Sequence, residues 1–476
     1  MPIRDLYGTL FRRVLLPAYE TVLRRRKTFA HLAEYTNSQW LSADAIADLQ
    51  WRKTQALVRH CWDEVPFYRE HWGSVGMDSA DAIRCPTDFA RLPILTKQHV
   101  RERFEDLKAA SLRNRLYYKT TGGSTGEPLL IGYTRESYER RTAVMLRGYA
   151  WASAMPGHRA DYLWGQPLRG LSLKERLHHA AFNRRILNVF GMSEDNLGEY
   201  ADRIAARQPD VIVGYVAPLA RLAQWALREG RHMPSPRTIL CAAEPLHAYQ
   251  RELIERAFGC PVHNTYGCRE FMLIASQCEH RDGLHINADH LNVELGDTLD
   301  DANSAAPREV LVTDLHNFGM PLVRYANGDI ATPGPERCDC GRGLPLLGTV
   351  DGRKMDVLRS SAGHFVGEYL EHLVFDAPGI RRFRAIQHRV GEIEVHLVRA
   401  PEFQESTLDA LRERMRDAYG DGVRLQFRFV DDIPLTPAGK LRVAISTLAT
   451  SATSAVAQWT DRLHESGVDA LALHLV

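Results

Sequence analysis

The stretch Tyr117-Tyr118-Lys119-Thr120-Thr121-Gly122-Gly123-Ser124-Thr125-Gly126-Glu127-Pro128, followed by the apolar run Leu129-Leu130-Ile131-Gly132-Tyr133, reads as a small hydroxyl-bearing loop that leads into a β-strand. Gly122, Gly123 and Gly126 let backbone N–H groups approach an anion and converge on it, while Thr120, Thr121, Ser124 and Thr125 add hydroxyl donors around the same oxygens. A Walker-type loop needs a lysine and a following helix, and Gly126-Glu127-Pro128 supplies neither. Gly122-Gly123-Ser124-Thr125-Gly126 satisfies the G-x-S-x-G pattern of a serine hydrolase, but that serine sits at a strand-to-helix turn, and Pro128 with its β-rich continuation opposes a helix. Clusters of Gly, Ser and Thr also make ordinary surface turns. The run alone therefore leaves a turn and a nucleotide-triphosphate cradle both open.

Working outward, 476 residues suggest two or three domains and ample core. A net charge of +1 gives no field that would favour nucleic acid, and none is expected as a partner. The eight cysteines (61, 85, 241, 260, 268, 278, 338, 340) are scattered except for Cys338-Asp339-Cys340, which fits a reducing, cytoplasmic setting. At the N-terminus Leu6, Leu10, Phe11, Val14 and Leu15 recur at helical spacing, interrupted by Arg12 and Arg13, so neither a signal peptide nor a transmembrane span is expected. Docking of this stripe onto the protein's own body is predicted; with Arg24, Arg25, Arg26 and Lys27 behind it, peripheral membrane contact is the alternative.

Residues 42 to 62 predict a helix capped by Ser42, with Ile46, Leu49, Leu57 and Cys61 on one face and Glu64-Val65-Pro66 as its stop; Thr96 predicts a second cap. From about 135 to 330, β-rich runs such as Val211-Ile212-Val213, Thr238-Ile239-Leu240 and Val310-Leu311-Val312 alternate with helical stretches at 218–229 and 248–258, the pattern of an α/β sheet. After Asp356 the texture becomes that of a small α+β domain, with strands at 393–397 and 425–429 around a helix at 405–418. An Ala/Ser/Thr-rich run from Ser446 to Val456 reads as a linker, followed by a short helix at 457–465.

Further motifs follow the loop in order: Ala242-Ala243-Glu244-Pro245, Tyr266-Gly267-Cys268-Arg269-Glu270, Arg324-Tyr325-Ala326-Asn327-Gly328-Asp329, Gly352-Arg353-Lys354-Met355-Asp356 and Thr436-Pro437-Ala438-Gly439-Lys440. Together with Val65-Pro66-Phe67-Tyr68, Leu92-Pro93-Ile94-Leu95-Thr96-Lys97 and Pro209-Asp210-Val211-Ile212-Val213-Gly214-Tyr215, they make residues 1 to 445 resemble the adenylate-forming superfamily. The nearest likeness is to its phenylacetate-CoA ligase-like branch, including relatives encoded with capsular polysaccharide genes. The resemblance implies a large multi-sheet α/β adenylation domain (1–355), a small mobile α+β lid (356–445) and the linker with its short helix (446–476).

The chemistry so implied is ATP-dependent activation of a small carboxylic acid: its oxygen attacks the α-phosphorus, pyrophosphate leaves and an acyl-adenylate remains, so catalysis must position anions and neutralise charge. By the resemblance, Thr121 to Pro128 grip the β and γ phosphates, with Ser124 a donor, and Glu270 holds Mg²⁺. Asp329 accepts the ribose hydroxyls, and Arg353 contacts ribose or phosphate. Ala243, Glu244 and Pro245 line the adenine with Tyr266 and Gly267, Lys440 bridges carboxylate and ATP, and Asp356 is the hinge. Arg269 stands where the superfamily usually has Thr or Ser, and Leu129 where a lysine often follows the loop proline; both point to the capsule-type subgroup. Thioester formation with CoA is the expected second half-reaction, a carrier-protein thiol or an amine being the alternative acceptors. Tyr162, Trp164, Gly165, Gly214 and Tyr215 border the acyl pocket or fill core. A serine hydrolase using Ser124 and a nucleotide-binding scaffold without turnover are the rivals from other classes.

Cys278, His280 and His285 and, sixty residues on, Cys338 and Cys340 form two short-spaced groups that could close a tetrahedron of soft ligands around structural Zn²⁺. The resemblance favours Cys278, His285, Cys338 and Cys340, with His280 spare. Unrelated reduced thiols beside surface histidines are the alternative.

Overall fold

The computed structural model describes residues 6–120, 129–165, 172–298, 306–353, 358, 377, 379–419, 423–434 and 444–448. The helix Ala43–Glu64 begins where the Ser42 hydroxyl accepts the Ala45 N–H at 3.3 Å. It ends at Val65 because Pro66 forces the residue before it into extended backbone, and Pro66 then opens the helix Pro66–Gly73. Thr96 likewise caps Lys97–Glu102 in a box with His99.

An antiparallel hairpin of β1 (Tyr117–Thr120) and β2 (Leu130–Tyr133) flanks the phosphate-loop segment, which itself lies outside the described residues. The central sheet opens with parallel strands β3 (Ala160–Trp164), β4 (Arg184–Asn188), β5 (Val211–Tyr215), β6 (Thr238–Ala242) and β7 (Val262–Cys268). It continues antiparallel through β8 (Met272–Ser276), β9 (Leu284–Ile286), β10 (Leu291–Thr298), β11 (Arg308–Asp314), β12 (Tyr325–Pro333) and β13 (Leu346–Arg353). The order across it is β10-β11-β12-β13-β9-β8-β7-β6-β5-β3-β4. Every residue of β5 and β6 is buried, as expected of parallel strands covered on both faces; Leu219, Leu222, Ile254 and Phe258 from the following helices pack on Ile212 and Ile239. β7 is the switch strand, parallel to β6 and antiparallel to β8.

A second core gathers Leu57, Cys61, Trp72, Leu95, Phe271, Leu322 and Tyr325. The helix Arg135–Trp151 is tied beneath by a buried fork: Arg147 donates to both Asp289 carboxylate oxygens at 2.6 and 2.8 Å and to Asn287 Oδ1 at 2.7 Å. Beyond residue 377, β14 (Ile380–Arg389), β15 (Glu392–Arg399), β16 (Arg424–Phe429) and β17 (Ala444–Ser446) form a separate sheet in the order β16-β15-β14-β17. With the helix Ser406–Tyr419 it encloses its own core of Phe383, Ile393, Val395, Leu411 and Met415. β17 runs through Ser446, the residue at which the linker was expected to begin, and the tail from 449 lies outside the described residues.

The N-terminal stripe departs from expectation. Residues 6 to 23 run as α-helix (Leu6–Leu10) and then two π-helical stretches (Phe11–Leu15, Ala18–Leu23). The wider turns put Gly8, Phe11, Leu16 and Glu20 on the docked face. Of the five stripe residues only Phe11 is buried, against Phe182 at 5.0 Å, whereas Leu6, Leu10, Val14 and Leu15 are exposed.

Candidate functional site

The carboxyl ends of β5, β6 and β7 open beside β12 and β13, and ligand crevices of α/β sheets lie outside the carboxyl ends of the parallel strands. β6 runs into Ala243, held at φ 69°, and then Glu244 and Pro245. The Glu244 carboxylate accepts the Ala217 N–H at 2.8 Å, an anion at the start of the helix Val216–Arg228. Pro245 lies against Gly352, where an added Cβ would stand 3.4 Å from the proline ring. Thus the motifs at 242–245 and 352–356 meet.

β12 bulges at Asn327-Gly328-Asp329, so this is an irregularity within a strand, Gly328 at φ 86°, and not a connecting turn. The bulge aims Asp329 at three donors. Tyr266 Oη donates to its Oδ2 at 3.0 Å, Asn327 Nδ2 to the same oxygen at 2.9 Å, and Arg353 Nε lies 2.9 Å from Oδ1. Asn327 Nδ2 also donates to Tyr266 Oη at 2.7 Å, and Arg353 donates to the Asn327 carbonyl at 2.9 Å. Arg353 stands directly across the β12–β13 ladder from Asp329. Burial pushes the Tyr266 phenol well above its ordinary range, so it stays a donor, and the Asp329 carboxylate holds Arg353 more firmly charged. Three of the roughly four acceptor positions of a carboxylate are engaged, leaving about one for a further donor.

The β7–β8 connection carries Arg269 and Glu270. Gly267 is required there: a Cβ would fall 1.9 Å from the Met272 carbonyl oxygen, and Met272 itself turns back at φ 64°. Glu270 is buried with Tyr325 Oη 3.5 Å away, and the exposed Arg269 donates to the Thr120 carbonyl at 3.0 Å, just before the loop. Two further cations converge, which sequence reading did not place in the site. Lys97 reaches Gly328, whose added Cβ would stand 3.4 Å from its Nζ; burial lowers its pKa, as does Arg353, while Glu270 and Asp329 pull the other way. Lys119 is pushed down to about 8 by burial and then by Arg269 and Arg141. Lys97 ends a quoted motif and Asn327 sits inside another, so the signal for both was position within those motifs.

Thr121, Gly122, Gly123, Ser124, Thr125, Gly126, Asp356 and Lys440 lie outside the described residues. Of the acyl-pocket set, Trp164 and Tyr215 pack at 4.4 Å at the strand ends, and Gly165 is held close to the Phe190 ring, 2.1 Å from an added Cβ. Tyr162 sits two residues back along β3, under the Arg184 guanidinium at 5.2 Å.

Away from this crevice, Cys278, His285, Cys338 and Cys340 present ligand atoms all within 4.8 Å of one another. Cys278 Sγ and Cys338 Sγ are 3.6 Å apart, and Cys340 Sγ is 3.3 Å from His285 Nε2. A tetrahedral Zn²⁺ with thiolates at ~2.3 Å needs edges of ~3.7 Å, so these four donors fit it. His285 Nδ1 lies 3.3 Å from the Leu344 carbonyl, which fixes the proton there and leaves Nε2 as the ligand atom. His280 is exposed and groups instead with Asp282 and Asp339.

Comparisons agree with this geometry. Residues 358–447 match the CapK C-terminal domain. The phenylacetate-coenzyme A ligase of Thermus thermophilus is 27% identical over 442 residues, covering 84% of this chain and 96% of that protein. Protein CapK of Staphylococcus aureus is 24% identical over 373 residues, 75% of this chain and 80% of that one. Among solved structures, a 2-hydroxyisobutyryl-CoA ligase in its postadenylation state superposes with a TM-score of 0.66 at 17% identity, covering 86% of this chain and 91% of that chain. With five sequence motifs, the crevice and these relatives in agreement, the chain is similar to the adenylate-forming ligases, and the relatives support their phenylacetate-CoA ligase-like branch, with CapK among them.

Proposed function

We propose that the protein joins a small carboxylic acid to AMP at the expense of ATP, and then passes the acyl group to the thiol of CoA. The observation that carries this reading is the Asp329–Tyr266–Asn327–Arg353 cluster at the switch-strand crevice, a preset acceptor for a ribose flanked by cations. Lys97, Lys119, Arg269 and Arg353 would offset charge that grows as pyrophosphate departs, Arg269 and Arg353 already held by the Thr120 and Asn327 carbonyls. Buried Glu270, a hard oxygen donor beside that cationic group, would hold Mg²⁺, which when bound neutralises the phosphates. The Trp164 and Tyr215 rings at the ends of β3 and β5, with Phe190 just past the end of β4, suit an acid with an aryl or compact apolar tail. The Cys278, His285, Cys338 and Cys340 set would hold a structural Zn²⁺, four protein donors leaving no open position.

CoA as acceptor is supported by the names of the relatives, several of which are phenylacetate-coenzyme A ligases. The lid's match to a CapK domain favours testing other thiols and amines beside it. A panel of acids with ATP, read as pyrophosphate release and trapping by hydroxylamine, tests the first half-reaction; adding CoA, a carrier protein or an amine to the best acid tests the second. A chain that hydrolyses esters without ATP, or binds ATP with no acid-dependent turnover, would overturn the reading.

A further inference from the structure

The N-terminal segment has two apolar faces, and the body covers one. Phe11 and Leu16 pack inward against Phe182, with Tyr19 and Phe29 beside them. On the outer side Leu6, Leu10, Val14, Ala18 and Val22 repeat at four-residue intervals, matching the slow winding of the α- and π-helical turns, and all are exposed, Leu6 at 76% and Val22 at 75%. Leu15 and Leu23 widen the stripe. The helix Leu173–Ala181 abuts it, since the Tyr7 hydroxyl donates to the Ala181 carbonyl, and adds Leu173 and Leu177 at 71% and 63% exposure. A patch of this size on a described surface is unusual unless something docks there.

Charge says what. Between residues 6 and 27 there are six basic side chains, Arg12, Arg13, Arg24, Arg25, Arg26 and Lys27, and one acid, Glu20. That acid is buried and held by Arg26 at 3.2 Å and Thr28 at 2.8 Å. The abutting helix adds Lys174 and Arg176 on exposed positions against one acid, Glu175. Nearly all of this positive surplus is local, because the whole chain carries only +1. A second copy would bring two such surpluses face to face across a two-fold axis, whereas an anionic lipid surface neutralises them and accepts the leucines. No described helix is long and apolar enough to cross a membrane.

We propose that residues 6–27, with Leu173 and Leu177, form an interfacial anchor that seats the enzyme on anionic phospholipid, the exposed stripe in the acyl boundary and the arginines at the headgroups. The test is flotation of the full-length protein with vesicles of phosphatidylcholine alone or with phosphatidylglycerol, in low and moderate salt. Binding is expected with the anionic vesicles only and should weaken with salt. Arg13→Glu with Arg25→Glu should lower it at least about tenfold, and so should Leu10→Ser with Val14→Ser, while pyrophosphate exchange stays at the parent level. Absence of flotation with anionic vesicles overturns the proposal. So does light scattering that shows a dimer dissolved by the Leu10→Ser, Val14→Ser variant, which assigns the face to a second copy. Flotation that appears only after removal of residues 449–476 would assign it to the tail and overturn the proposal equally.

Discussion

At the scale of single residues the site depends on where a few charges can be held. Asp329 is buried and anchored by Tyr266, Asn327 and Arg353, so replacing one oxygen by an amide sets a donor against Tyr266 and Asn327 at Oδ2 or against Arg353 at Oδ1. Hydrogen bonds to a charged group are worth about 1.5–3 kcal/mol, and Asp329→Asn should therefore lower kcat/KM for ATP in pyrophosphate exchange by ~10- to 100-fold. An unchanged value would remove Asp329 from the nucleotide site. Lys119 gives a pH signature. Burial holds its pKa at about 8, so its charge disappears as pH rises through 8, well before an ordinary lysine would lose it. Bound phosphate favours the charged form, and the KM for ATP should rise above that pH; Lys119→Arg, which stays charged, should flatten the rise. A profile identical in the variant would mean that Lys119 does not face the phosphates. Neither lysine was placed in the site by sequence, because a lysine's spacing carries no sign of burial; Asp329, Arg353 and Glu270 were legible because each sits in a motif whose order along the chain is itself informative.

At the scale of elements, β9 is three residues long and pairs with β13 through only Leu346↔His285 and Leu347↔Leu284. Such a short strand makes few ladder bonds, and the Cys278, His285, Cys338 and Cys340 donors tie together the end of β8, β9 and the turn before β13. A metal at that node should hold the antiparallel half of the sheet in register. The protein is expected to carry about one equivalent of zinc. Cys340→Ser should reduce that content and lower Tm by roughly 3 °C or more, while His280→Ala leaves both unchanged; equal effects of the two substitutions would refute the assignment. The elements themselves were well marked: Ser42, Thr96 and Pro66 act as caps and stops, and β5 and β6 as apolar runs followed by helices. The N-terminal stripe was not, since its apolar spacing fits a 3.6-residue repeat and the chain there winds more slowly, rotating Leu10 and Val14 to the outside.

At the scale of the whole molecule the question is how one crevice would serve the two half-reactions proposed. The large body carries the Asp329 cluster, and the sheet of β14–β17 has its own core, the arrangement that a hinge at Asp356, as proposed from the sequence, would require. We propose that the small domain takes one pose for each half-reaction. If Lys440 serves only the first pose, Lys440→Ala should lose ~10² to 10³ in acid-dependent pyrophosphate exchange. It should still convert a chemically supplied acyl-adenylate to thioester within about threefold of the parent rate, since a group outside the second transition state costs little there. Asp356→Pro should do the reverse, because a ring that fixes φ denies the hinge its second backbone state. Exchange would then persist while thioester formation from the same adenylate falls. Measuring both half-reactions on both variants separates the poses: equal losses in the two assays would mean that Lys440 and Asp356 support the fold of the small domain, and that one arrangement performs both steps.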